Sequence, residues 1–277
     1  MRSDIFPVDN FTDDAAKQAY AAARSAREKA TAEADIARLM KDADANRDEA
    51  LARGKLLSAA CVYLDLAQSG KTIGKANPEK LYHFAANAFR DLGLLQRAAE
   101  CYFNAALTGY RAYQSTGRGD PVFVRRSAGR AKSMFSALGD DENSDDAHIL
   151  QQRIYLAELR AKKRHTLATI YALWDWISHF GTSPMRWITS VLLTVIVFAG
   201  IYAALLKAGH ALASPQIERA CWAALTSSLY FSIGNLFQFG TLGTLTPRSE
   251  LAQLTMALHG IAAFILVGTG ATFLTRR

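Results

Sequence analysis

Charged residues are scarce in the second half of this chain. Lys and Arg number 7 and Asp and Glu number 3 in residues 164–277, against 25 and 22 in residues 1–163. A soluble domain of this length needs more charge to solvate its surface. The scarcity therefore excludes a protein that is soluble throughout, and the 50% hydrophobic content excludes a disordered one.

Cysteine and proline are also few. The 3 cysteines lie far apart, at positions 61, 101 and 221, and proline occurs 6 times in 277 residues. The chain therefore has neither a disulfide framework nor a collagen-like composition. We expect Cys61 and Cys101, which fall in helical patterns, to be buried free thiols. Residues 1–10 contain Asp4 and Asp9 and no apolar run, so we expect no cleavable signal peptide.

Two long segments of the second half carry no charge. Residues 187–206 form an apolar run of 20 residues. As a helix this run would extend about 30 Å, the thickness of the hydrocarbon core of a bilayer. Residues 251–274 form a second run, 24 residues long, interrupted only by Gln253 and His259. We predict two transmembrane helices, a location in the cell membrane and the lipid bilayer as a partner.

A third uncharged segment, residues 220–239, lies between these two runs. We expect Gly234-Asn235 to break its helical pattern and leave a helix too short to cross the membrane. Basic residues mark the cytoplasmic side, and they precede the first span and follow the last, as Arg276 and Arg277. We therefore predict a re-entrant segment with both termini cytoplasmic. The alternative is a third span.

Three features follow one another in this half of the chain: residues 228–233 (Ser-Leu-Tyr-Phe-Ser-Ile), a Gly- and Thr-rich loop that ends in Thr246-Pro247, and a last helix that contains glycine. Over residues 183–277 this series resembles the two-transmembrane potassium-channel pore family. The resemblance implies a homotetramer that conducts a monovalent cation, potassium, with no other cofactor. Irregular backbone at membrane depth lines water or protein, and four such loops could offer carbonyl oxygens to a cation.

The resemblance also implies roles for particular residues. The selectivity filter would comprise Gly240, Thr241, Leu242, Gly243 and Thr244. The pore helix would contain Leu229, Tyr230, Phe231 and Ser232. The candidate gating hinges of the last helix are Gly260, Gly268 and Gly270. His259 in that helix could line the pore or serve in packing.

The filter segment departs from the family pattern, Thr-x-Gly-Tyr-Gly-Asp. Aligned from Pro247, the chain places Thr241, Leu242 and Gly243 over Gly-Tyr-Gly. A second alignment takes Gly240 and Gly243 as the two glycines and needs one inserted residue. The tyrosine and the acid are absent in both, so conduction is expected while potassium selectivity does not follow. The alternative is a non-conducting pore loop that serves only assembly.

The first half of the chain is predicted to be helical throughout, so the fold class is all-α. Residues 1–55 form a charged, alanine-rich helix, either solvated or self-associating. Residues 56–163 form a helical domain in which residues 79–110 match the spacing of the tetratricopeptide repeat, with Gly93 at the turn. A poorer copy covers residues 122–162, with Phe135, Gly139 and an acidic loop over residues 140–146, and Leu56–Gln68 forms an earlier helix. The alternative is a plain helical bundle.

Residues 164–182 connect the two halves. After a basic cluster, five apolar or aromatic residues fall on one helical face: Leu167, Ile170, Tyr171, Trp174 and Ile177. This pattern is typical of a helix that lies on the membrane surface. The alternative is a last helix of the soluble domain. Ser183 is the expected N-cap, and Pro184 the first residue, of the first span.

These features together predict a cation channel regulated through a cytoplasmic helical-repeat domain that could bind a protein or peptide. The alternative is a non-conducting, membrane-anchored adaptor whose repeats recruit partners. We expect no metal site and no enzyme, because the six histidines are scattered and Ser69-Gly70-Lys71-Thr72 lacks the first glycine of a phosphate-binding loop. The interleaved charges of the first half indicate no nucleic-acid partner.

Overall fold

The computed structural model describes residues 14–30, 33–48, 53–69, 77–117, 119–208, 221–237 and 249–274. Within these ranges the chain forms eleven α-helices and no β-strand, which confirms the all-α prediction. The chain divides into two compact units, Met1–His165 and Thr166–Arg277.

The first unit begins with three helices, α1 (Asp14–Lys29), α2 (Glu33–Asp48) and α3 (Arg53–Gln68). The long helix expected over the first part of the chain is thus divided into α1 and α2, and both pack on α3. Arg27 of α1 forms an ion pair with the buried Asp65 of α3, and Tyr63 of α3 donates a hydrogen bond to Asp44 of α2. The few apolar residues of α1 and α2 are therefore supplemented by polar contacts across each helix pair.

Helices α4 (Pro78–Asp91) and α5 (Leu95–Thr116) form the first predicted helix pair. Gly93 adopts a φ of +79° in the turn between them, a left-handed conformation that glycine tolerates best. Small residues of both helices, Ala85 and Ala98 among them, are fully buried. The backbones can approach closely because these side chains are short.

Helices α6 (Pro121–Ala137) and α7 (Asp141–Ala161) form the second pair, with Gly139 at a φ of +72° between them. The prediction of an acidic loop over residues 140–146 is wrong, since α7 begins at Asp141. Asp140 is its N-cap and accepts a hydrogen bond from the backbone N–H of Asn143 at 3.2 Å. Acidic side chains stabilise a helix N-terminus, and this effect places the acidic run in the first turns of α7.

Cys61 of α3 and Cys101 of α5 lie in the core of the first unit, and both are fully buried free thiols, as predicted. Burial raises the pKa of the Cys61 thiol to about 12. The same cause raises the pKa of the Cys101 thiol well above its ordinary value. Both groups are therefore protonated near neutral pH and act as small apolar side chains.

The second unit contains α8 (His165–Ser178, of which the first residue belongs to the first unit), α9 (Pro184–Lys207), α10 (Cys221–Leu236) and α11 (Glu250–Leu274). The turn from α8 to α9 has positive φ at three successive residues, His179, Phe180 and Gly181. Ser183 then caps α9, with its Oγ accepting the backbone N–H of Arg186 at 3.4 Å, and Pro184 occupies the first turn, as predicted.

Candidate pore module

Two helices of the second unit are long and apolar enough to cross a membrane. They are α9, with 24 residues, and Glu250–Ala271 of α11, with 22. Only 28% of the apolar window of each helix is buried against the rest of the chain. A core helix of a soluble protein would be mostly covered, so these two helices present apolar surface that another phase or another chain must cover.

α9 and α11 run antiparallel to each other. Trp187, near the start of α9, donates its indole N–H to the carbonyl oxygen of Leu266, late in α11, at 2.8 Å. Tyr202, near the end of α9, has its hydroxyl 3.2 Å from Nδ1 of His259, in the middle of α11. The start of α9 and the end of α11 therefore lie at the same end of the module.

α10 packs against both helices and also runs opposite to α9. The ring of Phe231 meets Tyr202 edge to face, with centroids 4.9 Å apart. Further along α10, Leu236 packs in one cluster with Val195 of α9 and Leu266 of α11. α10 has 16 residues, which corresponds to about 24 Å of helix, less than the thickness of the hydrocarbon core.

The predicted break of α10 at Gly234-Asn235 is wrong, because the helix continues to Leu236. Gly234 is buried and Leu236 is almost completely buried in the cluster with Val195 and Leu266. Glycine costs a helix interior about 1 kcal/mol relative to alanine. Burial of a leucine side chain contributes about 1.5–3 kcal/mol, which is enough to keep the last turn helical.

The four residues assigned to the pore helix all lie in α10 but face two sides. Phe231 and Ser232 are buried, and the Oγ of Ser232 donates to the carbonyl oxygen of Val195 at 3.1 Å. Leu229 and Tyr230 are exposed. They belong to a continuous uncovered apolar surface of α10 and the residue after it, which we call the open face: Leu225, Leu229, Tyr230, Ile233 and Phe237.

His259 has one of the two environments expected for it. It is completely buried, and its ring stacks on Phe198 of α9 with centroids 4.1 Å apart and planes 5° from parallel. With Tyr202 at its Nδ1, His259 is part of the α9–α11 contact within one chain. The structure therefore favours a role in packing.

The three hinge candidates differ in their surroundings. A Cβ added at Gly270 would lie 2.7 Å from Cζ2 of Trp187, so this glycine allows α9 and α11 to approach closely. A Cβ added at Gly260 or Gly268 would meet nothing within 4 Å. All three residues lie within the continuous helix α11. Gly270 is thus a packing residue, while Gly260 and Gly268 face away from the rest of the described chain.

The five filter residues (Gly240, Thr241, Leu242, Gly243 and Thr244) lie outside the described residues. The structure describes the chain up to Phe237 and again from Ser249. Ala252, near the start of α11, packs with Tyr202 and Leu205, at the other end of the module from Leu236. The filter assignment stays a prediction.

α8 has an apolar stripe that the rest of the described chain leaves uncovered. Leu167, Ile170, Leu173 and Trp176 are exposed, whereas Ile177 is buried. The predicted face is therefore rotated, since Tyr171 and Trp174 are half-buried and contact each other edge to face. The hydroxyl of Ser190 in α9 donates to the carbonyl oxygen of Ile177 at 3.2 Å, which attaches the end of α8 to α9.

The sequence did not indicate the residues that hold the module together. Trp187 was noticeable only as an aromatic residue at the end of an apolar run, and its contact with Leu266 spans 79 positions. No group of three or more His, Cys, Asp or Glu that could hold a metal ion occurs in the part of the chain that the structure describes. Comparison of the chain with protein-family models, curated proteins and solved structures finds no match.

Proposed function

We propose that this protein is a homotetrameric membrane channel for a monovalent cation, potassium-like, regulated through its helical first unit. The observation that carries this proposal is the direction of the three helices of the pore module. α10 and α11 both run opposite to α9, and α10 is too short to cross a bilayer.

Successive membrane spans alternate in direction, so the first and third of three spans run parallel. α9 and α11 are antiparallel, which supports two spans with a short helix that enters and returns between them. The basic residues before α9 and after α11 then lie on one side of the membrane. By the positive-inside rule this side is cytoplasmic, and the protein is a multi-pass membrane protein with both termini inside.

Three helices of one chain cannot surround a pathway for ions. The open face of α10 and a second uncovered stripe on α11, which includes Leu254, Leu258 and Ile261, supply surface for neighbouring chains as well as lipid. Gly260 and Gly268 lie on uncovered parts of α11, where small residues permit close helix contact or bending. These features support assembly of several copies around one axis, with four as the number that the resemblance implies.

The exposed stripe of α8 supports a position on the cytoplasmic membrane surface. Because its last turn is bonded to α9 through Ser190, a shift of α8 would reach the first span. The helix pairs α4–α5 and α6–α7 support a repeat domain of the tetratricopeptide type that binds a protein or peptide. A ligand opens the channel only to the extent that it prefers the open state.

The proposal is tested by cation flux from liposomes that contain the purified full chain. We expect flux in the wild type and a loss of at least tenfold in Gly243→Leu. The matched control is Gly200→Leu, a glycine on α9 with nothing within 4 Å of its Cβ direction, which should conduct normally. A Gly243→Leu variant that conducts like the wild type would contradict the filter assignment.

Two further results decide between the alternatives. A protein that runs as a tetramer on sizing and passes no ion in any salt, voltage or ligand condition would be a membrane-anchored adaptor. Single cysteines placed near residues 2 and 277 should react with a membrane-impermeant reagent from the same side. Labelling from opposite sides would establish three spans and overturn the pore module.

A further inference from the structure

An open cleft of about 370 Å³ lies between α4, α5 and α6 of the first unit. Three arginines line it, Arg90 from α4 and Arg126 and Arg130 from α6, together with Tyr102 and Ser133. Binding sites for small molecules have volumes of about 300–1,000 Å³. The cleft is at the lower end of this range, and three of its seven lining residues are arginines.

In the ranges that the structure describes, Arg130 contacts only neutral acceptors. Its Nη1 lies 3.2 Å from Nε2 of His83, 3.4 Å from Oδ1 of Asn87 and 3.4 Å from the hydroxyl of Tyr102. Its guanidinium carbon is 5.5 Å from the centre of the Tyr102 ring. Among the described residues, no carboxylate lies within ion-pair distance of Arg130.

The neutral partners of Arg130 are themselves fixed. Nδ1 of His83 is 3.0 Å from the hydroxyl of Ser127, which is buried and donates to the carbonyl oxygen of Phe123. The imidazole therefore carries its proton on Nδ1 and accepts from Arg130 at Nε2. Tyr102 donates its hydroxyl to Asn87. This network holds one Nη of Arg130 and leaves its Nε and other Nη for a further acceptor.

Within the described part of the chain, the charge of the cleft is not balanced. Arg90 pairs with Asp91 at 2.8 Å, whereas Arg126 is exposed and forms no ion pair within the described ranges. Three guanidinium groups and one carboxylate leave a net charge of about +2. A phosphate monoester carries about −1.5 to −2 at neutral pH, against −1 for a carboxylate.

We propose that this cleft binds the phosphate group of a phosphate monoester. Arginine forks donate parallel hydrogen bonds to phosphate oxygens, and a pre-positioned guanidinium loses little freedom on binding. Arg130 and Arg126 supply the main contacts, and Arg90 and Ser133 line the same cleft. The site belongs to the first unit alone, so it does not depend on whether the second unit conducts ions.

The test is calorimetric titration of the full chain in detergent with inorganic phosphate, glycerol 3-phosphate and a phosphoserine peptide, at constant ionic strength. We expect saturable binding of inorganic phosphate, and tighter binding by one of the two esters identifies the source of the group. Arg130→Gln and Arg126→Gln should each weaken binding at least tenfold. Arg126 makes no contact with the network, so its variant reports on binding even if Arg130→Gln disturbs the fold.

The matched control is Arg38→Gln, an exposed arginine on α2, which packs on α3 away from the cleft. It should bind phosphate like the wild type. Absence of phosphate binding by the wild type would overturn the proposal. Equal weakening by Arg38→Gln, or acetate binding as tight as phosphate, would overturn it as well, because the attraction would then be nonspecific or not selective for a dianion.

Discussion

Trp187 and Leu266 fix the spacing of the two long apolar helices. The indole N–H donates to the Leu266 carbonyl oxygen at 2.8 Å, and the hydroxyl of Thr269 donates to the same oxygen at 2.9 Å. The indole ring lies directly over Gly270. The hydrogen bond from Trp187 and the absence of a side chain at Gly270 thus set the distance between α9 and α11.

Gly270→Ala should destabilise the protein because the new Cβ would lie 2.7 Å from the Trp187 ring. Overpacking of this kind costs about 1–3 kcal/mol, and thermal unfolding in detergent should show it as a lower midpoint. The control is Gly268→Ala, where nothing lies within 4 Å and a midpoint equal to or above the wild type is expected. Equal changes of the unfolding midpoint in both variants would show that the close contact with Trp187 does not affect stability.

Arg27→Met should loosen α1 from α3. Asp65 has a side chain only 5% exposed and would lose the ion-pair partner it has in Arg27, at a cost of about 3 kcal/mol. Denaturant unfolding measures the loss. Arg24→Met, one turn earlier on α1, breaks an exposed pair with Glu28 and should cost less than about 1 kcal/mol. Similar losses in the two variants would mean that the Arg27–Asp65 pair contributes no more than an exposed one.

The first unit should lose stability as the pH is lowered from about 6.5 to about 4, in part through His83. Burial, together with the nearby charges of Arg130 and Arg90, lowers the pKa of His83 to about 4. In the unfolded chain a histidine takes up its proton near pH 6.5. The unfolded state therefore binds more protons between these values, and the free energy of unfolding falls with falling pH.

His83→Gln isolates this contribution, since all other titrating groups are unchanged. The difference in unfolding free energy between wild type and His83→Gln, measured from pH 7 to pH 4 by denaturant titration, should shift in favour of the variant as the pH falls. A difference that stays constant over this range would show that His83 keeps the same proton occupancy in both states.

Asp140→Ala should destabilise the first unit by about 1 kcal/mol, the usual cost of removing a side-chain N-cap. The Asp140 carboxylate accepts the backbone N–H of Asn143 at 3.2 Å and its side-chain amide at 2.7 Å. Asp141→Ala removes an exposed neighbouring charge in the first turn and should cost about 0.3 kcal/mol. Urea unfolding compares the two, and a larger loss from Asp141→Ala would disprove the capping role.

Local patterns in the sequence were sufficient to predict most helices. Gly93 and Gly139 mark turns because only glycine adopts positive φ there without strain. Ser183 and Pro184 mark the start of α9 for similarly local reasons. The lengths of the two apolar runs predicted two helices able to cross a membrane, and charge scarcity predicted their uncovered surfaces.

Contacts between distant residues decided the features that the sequence did not predict. The end of α10 depends on Leu236 packing with Val195 and Leu266, which overrides the weak helix propensity of Gly234-Asn235. His259 stacks on Phe198, a partner that helical spacing within α11 cannot reveal. The charges around the arginine cleft come from α4 and α6, which approach each other only in the folded domain.

The turn from α8 to α9 is held by local contacts. His179 and Phe180 both have left-handed backbones, which cost L-residues about 1–2 kcal/mol each. Phe180 is buried with its ring edge to face against Trp174, and the Ser178 hydroxyl accepts the N–H of Gly181 at 3.0 Å. Because these contacts fix the turn, we expect a rotation of α8 to be transmitted to α9.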